Sequence, residues 1–237
     1  MAIGKEFSEL EATVNYKFSD ISYLECALTH SSYSYEQKSR GRRLPSNERL
    51  EFLGDAVLEM IVSEHLYSNY KNQSEGALTK MRQHLVCEKT LAGVARRIRL
   101  GEYINLGNGE ENSDCRNRPK VLADALEALF AAIYLDSGNT LGEVGRVILA
   151  LLSSEIEDSV GRQKGDYKTL LQQLIEKDGA AVLEYEVVSE TGPEHDKLFT
   201  VAAKVNNNIV GQASGSNKKE AEMGAAKMAL ELFGVKI

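Results

Sequence analysis

The sequence predicts a multidomain protein in which an all-α domain is followed by a small α+β domain. Up to about residue 180, apolar residues recur three and four positions apart, as they do on one face of a helix. Beyond that point they alternate with polar residues, as they do along a half-buried strand. Residues 158–165 (DSVGRQKG) are polar, contain two glycines and lack either period. We therefore predict a helical domain over 1–157, a linker over 158–165 and a domain of order α-β-β-β-α over 166–237.

The composition is that of an ordinary globular protein. Of the 237 residues, 43% are hydrophobic and 27% are charged, and the chain is long enough for two modest domains. No apolar run approaches the ~18 residues that a membrane span requires, and the N-terminus MAIGKEFSEL has no apolar signal core. The cysteines Cys26, Cys87 and Cys115 lack disulfide or metal-site spacing. A cytoplasmic protein with reduced thiols and no membrane partner is expected.

The distribution of charge is uneven along the chain. The net charge of −7 argues, taken alone, against a nucleic-acid partner. The basic residues are clustered, however, so local charge is more informative than the sum. These clusters lie at Arg40, Arg42 and Arg43, at Arg96, Arg97 and Arg99, at Arg116, Arg118 and Lys120, and at Lys218 and Lys219.

Helical patterning continues through most of the first domain. Residues 5–35 are predicted to be helical, with Ser19 and Asp20 able to cap a helix. The periodicity is lost at 35–46 (YEQKSRGRRLPS), which is typical of an exposed basic loop. Further helices are predicted at 47–61, 77–98, 120–135 and 141–156, and a polar loop at 101–120.

The helix predicted at 47–61 (NERLEFLGDAVLEMI) has an acidic face and an apolar face. Glu48, Glu51 and Asp55 fall on one side at 100° per residue, and the apolar residues fall on the other. Acidic residues three and four apart repel each other, so a structural helix would avoid this layout. A cation held between them would turn the repulsion into ligation. The alternative is a simple solvated acidic face.

The helix predicted at 120–135 (KVLADALEALFAAIYL) repeats this layout. Asp124 and Glu127 share a face that also carries Ala128 and Ala131, which are small enough for another helix to approach closely. Burying carboxylates from two helices together is costly unless divalent cations neutralise them. Ligation by oxygen alone favours Mg²⁺ or Mn²⁺ over zinc.

The second domain changes from helix to strands and back. A short helix is predicted at 167–177, and alternation predicts strands at 183–187, 199–205 and 209–214. Three asparagines at 206–208 predict the turn of a hairpin. The last helix begins at Lys218, where Asn217 can cap it and Glu220 stands three residues on.

Several of these segments resemble the ribonuclease III family. NERLEFLGDAVL at 47–58 is similar to the family's signature segment, and LADALEAL at 122–129 resembles its second acidic motif. ALTHSSY at 27–33 and SEGALTKMR at 74–82 resemble two further family motifs. KTLLQQL at 168–174, GPEH at 192–195 and NKKEAEMGAA at 217–226 resemble a double-stranded-RNA-binding domain. The resemblance spans nearly the whole chain, with the motifs in family order.

The resemblance implies a role for particular residues at matching positions. The family's catalytic domain is a homodimer, and Phe52 matches the aromatic residue that inserts into a cavity of the partner subunit. The other implied residues are Asp55 and Glu127 as catalytic residues; Glu51, Asp55, Asp124 and Glu127 as metal ligands; Glu48 and Glu75 as auxiliary acidic residues; and Thr169, Gln172, Gln173, His195, Lys218 and Lys219 as RNA contacts.

The implied activity is Mg²⁺-dependent hydrolysis of double-stranded RNA, with two ions per site and with Mn²⁺ able to substitute. Divalent ions activate water and stabilise the leaving oxygen without a histidine base. The family's products carry 5′-phosphate and 3′-hydroxyl ends with short 3′ overhangs, and its substrates include precursor rRNA and structured mRNA. RNA duplexes are recognised by shape, because the A-form major groove is too narrow for side chains.

Two other functions remain alternatives, and the sequence departs from the family pattern at two places. A non-catalytic RNA-binding relative would usually lack some of the acidic residues, all six of which are present. An acidic Ca²⁺-binding helical protein would leave the second domain without a purpose. Lys120 stands where many family members have a small serine, and the basic loop at 35–46 is either solvated surface or a phosphate contact.

Overall fold

The chain folds into two compact units. The computed structural model describes residues 7–71, 73–111, 113–163, 167–177, 182–193 and 197–235. The division between the units falls between Ser159 and Val160. None of the helices in these ranges combines the length and the apolar composition needed to cross a membrane. The predicted fold class, a helical domain followed by a small α+β domain, is confirmed.

The first unit is built from helices. Turns of 3₁₀-helix lie at Leu100–Tyr103 and Cys115–Asn117, and one isolated β-bridge joins Thr29 to Asn105. The α-helices are α1 Ser8–Val14, α2 Ile21–Ala27, α3 Ser31–Ser39, α4 Glu48–Asn69, α5 Glu75–Val86, α6 Glu88–Arg97, α7 Asn108–Glu111, α8 Pro119–Asp136, α9 Leu141–Leu151 and α10 Ser153–Gln163.

Helix α8 forms the centre of this unit. Pro119 opens it at a position where the missing N–H has no helical partner. Leu122, Leu126 and Leu129 are buried, and so are Ala128 and Ala131 on the face predicted to meet another helix. Helices α2, α4, α6 and α9 all pack against α8. The helix is therefore a core helix that is apolar on nearly every side, except where its acidic residues lie.

Helices α4 and α8 touch through their backbones at Gly54. A Cβ atom added at Gly54 would lie 1.8 Å from the carbonyl oxygen of Glu127. No side chain fits at that distance, so any larger residue must separate the two helices. The residues on either side, Glu51 and Asp55 on α4 and Glu127 on α8, are those that the sequence assigns to the metal site. The glycine thereby sets the separation of the acidic residues.

The second unit is a three-stranded antiparallel sheet packed against helices. Its elements are α11 Tyr167–Lys177, β1 Leu183–Thr191, β2 Leu198–Val205, β3 Asn208–Gly215 and α12 Lys218–Leu232, with strand order β1-β2-β3. Leu183 pairs with Val205, which in turn pairs with Asn208 across the β2–β3 turn. Asn206 and Asn207 have φ of 49° and 65°, as a tight hairpin turn requires. Leu171, Ile175, Ala203, Ala225 and Ala229 form the core between sheet and helices.

The helices predicted at 77–98 and 141–156 are each divided in two, at Cys87 and at Leu152. Two segments predicted to be a loop and a linker are partly helical. Helix α3 continues to Ser39, so the first part of the predicted basic loop is helical. Buried Gln37 and the ion pair between Arg40 and Glu36, at 2.5 Å, stabilise that last turn. Helix α10 includes 158–163, which were predicted to be part of a linker. Burial of Ile156 and of Ser159 stabilises this helix more than the low helix propensity of Gly161 destabilises it. Residues 164–165 lie outside the described residues.

Replacing Gly54 with alanine tests the backbone contact between α4 and α8. We expect Gly54→Ala to lower the free energy of unfolding by about 2–4 kcal/mol, because the new methyl group overpacks a site bounded by backbone. Gly93→Ala is the control: this helical glycine is exposed, and its Cβ would have no neighbour within 4 Å. It should stabilise the protein by about 0.5–1 kcal/mol. Urea denaturation measures both changes, and equal effects of the two substitutions would contradict this account.

Candidate active site

Three carboxyl groups meet between helices α4 and α8. Oxygen atoms of Glu51, Asp124 and Glu127 lie within 4.8 Å of one another. Each of these residues is partly buried. Asp124 and Glu127 are three residues apart on α8 and therefore share a face. The close contact of the helices at Gly54 brings Glu51 to that face.

Burial and mutual repulsion favour the protonated form of this cluster. The pKa of Glu127 is raised to about 8, first by burial and then by the charges of Asp55 and Asp124. The charge of Glu51 acts in the same direction. The pKa values of Asp124 and Glu51 are also raised, and burial is again the largest cause. At neutral pH, Glu127 therefore holds a proton when no cation is bound.

Lys120 supplies a positive charge at the edge of the cluster. Its Nζ lies 3.7 Å from Oδ2 of Asp124, one helical turn further along α8. Its charge lowers the pKa of all three clustered carboxyls, opposing the effect of burial. The residue that departs from the family pattern in the sequence is thus an electrostatic partner of the site.

Asp55 borders the cluster without joining it. Its side chain is exposed, yet its charge is near enough to raise the pKa values of Glu51 and Glu127. The structure therefore brings three of the four predicted ligands together and leaves the fourth beside them. Ligation by Asp55 stays a prediction.

The auxiliary acidic residues lie further from the cluster. Glu48 is exposed at the start of α4, where its Oε2 accepts a hydrogen bond of 2.7 Å from Ser46, and its charge raises the pKa of Glu51. Glu75 is exposed at the start of α5 and accepts a hydrogen bond of 3.0 Å from Thr79. Neither lies within the three-carboxyl cluster. Their roles stay predictions.

The donor set fits a hard divalent cation. It offers only carboxylate oxygens, which Mg²⁺, Mn²⁺ and Ca²⁺ prefer. A bound cation would offset the repulsion that raises the pKa values of these carboxyl groups. The electrostatics of the cluster therefore also favour a divalent cation as its ligand.

Phe52 lies on the exposed side of α4, next to the acidic residues Glu48 and Asp55 around the helix. Its side chain is 81% exposed, and Tyr67 further along α4 is 76% exposed. An aromatic ring exposed to this degree contributes nothing to the core of the unit. Its placement is that of a surface contact residue.

The predicted RNA contacts occupy the two helices of the second unit. Thr169, Gln172 and Gln173 lie on α11, and the exposed Lys218 and Lys219 open α12. His195 lies outside the described residues.

The N-terminus of α12 is capped as the sequence predicts. The side chain of Asn217 accepts a hydrogen bond of 2.9 Å from the amide of Glu220. The carboxylate of Glu220 turns back to Ser216 rather than to the capping residue, accepting from its amide and its hydroxyl. The end of the helix is thereby held in place, with the two lysines at its first positions.

The chain thus combines a helical domain that carries clustered carboxylates with an α-β-β-β-α unit. Residues 20–156 match a family model described as ribonuclease-III-like, and residues 167–232 match the double-stranded RNA binding motif. The chain belongs to the ribonuclease III family. That family, combined with this RNA-binding motif, supports a double-stranded-RNA endoribonuclease.

Relatives cover nearly the full chain. It is 46% identical to ribonuclease 3 of Desulforamulus reducens over 228 residues, which are 96% of this chain and 91% of that protein. Identity to ribonuclease 3 of Caldanaerobacter subterraneus is also 46%, over 95% of this chain and 97% of the other. The crystal structure of the ribonuclease III nuclease domain from Campylobacter jejuni matches with a TM-score of 0.57 and 38% identity, covering 64% of this chain and 96% of that one.

Gly54 is the positioning residue that the sequence analysis did not single out. A signal was present, because a glycine within a strongly periodic helix costs about 1 kcal/mol relative to alanine and usually has a packing reason. Its position between Glu51 and Asp55 indicates a close approach at the acidic face. The glycine alone does not indicate which helix packs against it.

The raised pKa of Glu127 predicts a pH-dependent effect of Glu127→Gln in the metal-free protein. A folded pKa of about 8 exceeds the ordinary value of 4.5, so the protonated carboxyl stabilises the fold at low pH and this contribution is lost as pH rises through 8. Glutamine stays neutral. At pH 9 in EDTA we expect the variant to melt above the wild type by about 2–8 °C, corresponding to roughly 1–2 kcal/mol after discounting for partial exposure.

At pH 5 this difference in melting temperature should shrink towards zero. Glu64→Gln is the matched control, because Glu64 is exposed on another side of α4 and should show no such dependence. The same melting difference at both pH values would show that Glu127 is ionised throughout.

Proposed function

We propose that the chain is a Mg²⁺-dependent endoribonuclease that hydrolyses both strands of duplex RNA, leaving 5′-phosphate and 3′-hydroxyl ends with short 3′ overhangs. The observation that carries the proposal is the meeting of Glu51, Asp124 and Glu127 within 4.8 Å in a domain of the ribonuclease III family. The RNA-binding motif at 167–232 supports the choice of a duplex substrate.

The acidic residues of α4 and α8 hold the metal in this proposal. Divalent ions, when bound, supply an activated water and stabilise charge on the leaving 3′ oxygen. Glu51, Asp124 and Glu127 bind them, with Asp55 as the fourth ligand and two ions per site. Glu127 gives up its proton on binding, so metal affinity rises with pH towards 8. Mn²⁺, with the same preference for oxygen, takes the place of Mg²⁺.

The second unit binds the duplex by its shape and phosphates. Lys218 and Lys219 combine positive charge with the free amides of a helix N-terminus, which suits phosphate. Thr169, Gln172 and Gln173 on α11 contact the minor groove, as does His195. Because this unit has a modest charge, it binds RNA weakly on its own. Much of the affinity for duplex RNA comes from the combined surfaces of the dimer.

The catalytic unit acts as a homodimer through the exposed side of α4. Phe52, Met60 and Tyr67 are 81%, 54% and 76% exposed and fall within about 80° around the helix. Large exposed apolar groups on one side of a helix are typical of an interaction surface. The C. jejuni nuclease domain is described as having a region involved in dimer formation. A dimer has two active sites, and each of them cuts one strand of the RNA duplex.

The natural substrates follow from the family. Precursor rRNA and structured mRNA, processed in the cytoplasm, are the expected targets. Sequencing the ends of structured transcripts cut by the protein tests this assignment.

Cleavage of a labelled RNA duplex tests the activity. We expect full cleavage in Mg²⁺ and none in EDTA. Glu127→Gln and Asp55→Asn should each lower the rate by about a thousandfold, the effect of losing several kcal/mol of charge stabilisation, while duplex binding is retained. Glu64→Gln should cleave as the wild type does. Binding without Mg²⁺-dependent cleavage would instead identify a non-catalytic RNA-binding protein.

Substituting Phe52 tests the dimer. Phe52→Asp places a charge where an apolar contact is proposed, so sedimentation should show a monomer at concentrations where the wild type is a dimer. Leu232→Asp is the control, since Leu232 is 68% exposed on α12 of the other unit. It should leave the dimer intact. A Phe52→Asp protein that remains dimeric would place the interface elsewhere.

A further inference from the structure

We propose that a basic pocket beside the acidic cluster binds the phosphodiester backbone of the RNA strand being cut. The pocket has a volume of about 400 Å³ and lies between α3, the loop after it and the first residue of α4. Its basic residues are Lys38 and Arg43. This inference rests on the proposed function, and it gives the basic segment at 35–46 a role in substrate binding.

One wall of the pocket is a single face of helix α3. Ser31, Ser34, Tyr35 and Lys38 line it, and their spacing of three, four and seven residues places them on the same side of a helix. The side chains of two serines, a tyrosine and a lysine therefore border one space. Such a lining suits an anion with hydrogen-bonding oxygens rather than an apolar ligand.

The other wall is a loop held in place by hydrogen bonds. The hydroxyl of Ser34 donates to the carbonyl of Leu44 at 2.5 Å, and the amide of Arg42 donates to the carbonyl of Gln37 at 2.9 Å. Gln37 is buried. The backbone that carries Arg43 is thus fixed against α3, which reduces the ordering cost of binding.

The two cations of the pocket are available for a ligand. Elsewhere in the unit, Arg97, Arg99 and Arg116 are paired with Glu155, Glu102 and Glu111. By contrast, the side chains of Lys38 and Arg43 make no hydrogen bond or ion pair with the described part of the chain. A neighbouring phosphate would gain both charges without breaking an existing pair.

The position of the pocket favours the cleaved strand as its ligand. Glu48 lines the pocket and begins α4; Glu51 follows three residues later, about 4.5 Å along the helix axis. Glu48 and Glu51 lie within one turn of α4, so the pocket and the acidic cluster adjoin. An RNA strand carries a phosphate at every nucleotide, so a strand cut at the cluster brings further phosphates to this pocket.

The test compares kcat/KM of full-length Lys38→Ala and Arg43→Ala proteins on an RNA duplex over a range of salt. Each substitution should lower kcat/KM by about five- to tenfold and reduce the slope of log kcat/KM against log salt by about one. Arg43→Lys should recover most of the loss because it keeps the charge. Lys17→Ala is the control, since Lys17 is exposed near Asp136 at the opposite end of α8.

Methylphosphonates placed singly along the duplex locate the contact. At one or two positions near the cut, a neutral linkage should slow the wild type but cause no further loss in Arg43→Ala. If wild type and variant respond alike at every position and share one salt slope, the pocket does not bind the strand. That result would leave the proposed function intact, because the latter fails only if the wild type does not cleave the unmodified duplex in Mg²⁺.

Discussion

The candidate active site depends on the contact between the backbones of α4 and α8. At Gly54 the helices approach so closely that a Cβ atom would lie 1.8 Å from the carbonyl oxygen of Glu127. Helices in globular proteins usually pack 8–10 Å apart with side chains between them. Here the absence of a side chain lets acidic residues from both helices share one small space. The geometry of the site thus follows from a residue that takes no part in chemistry.

This contact creates an electrostatic conflict. Apolar burial of α8 draws Asp124 and Glu127 partly out of water, while α4 brings Glu51 against them. Two features moderate the repulsion in the metal-free protein. The pKa of Glu127 rises to about 8, so one charge is removed by a proton, and Lys120 lies 3.7 Å from Asp124. A divalent cation held by these carboxylates would neutralise the charge that the proton and Lys120 offset here, so stability and metal affinity would be linked through the same groups.

Much of this arrangement was predictable from the sequence, because periodicity reports which face of a helix is buried. The acidic faces of α4 and α8, the α-β-β-β-α order of the second unit and the cap at Asn217 were all predicted and are present. The ends of α3 and α10 were not predicted. At both, burial of residues such as Gln37 and Ile156 stabilises helix where local composition favours a loop. Tertiary contacts of this kind are not visible in a local window of sequence.

The same limit applies to charge. A net charge of −7 argues against an RNA partner, yet the sum hides how the charges are paired. Arg97, Arg99 and Arg116 appear in the sequence as basic clusters but are neutralised by glutamates in the fold. Lys38 and Arg43 look no different in the sequence, and only the structure distinguishes them. Because phosphate responds to charge within a Debye length of about 8–10 Å, a protein of net negative charge can bind RNA where cations without an ion-pair partner lie close together.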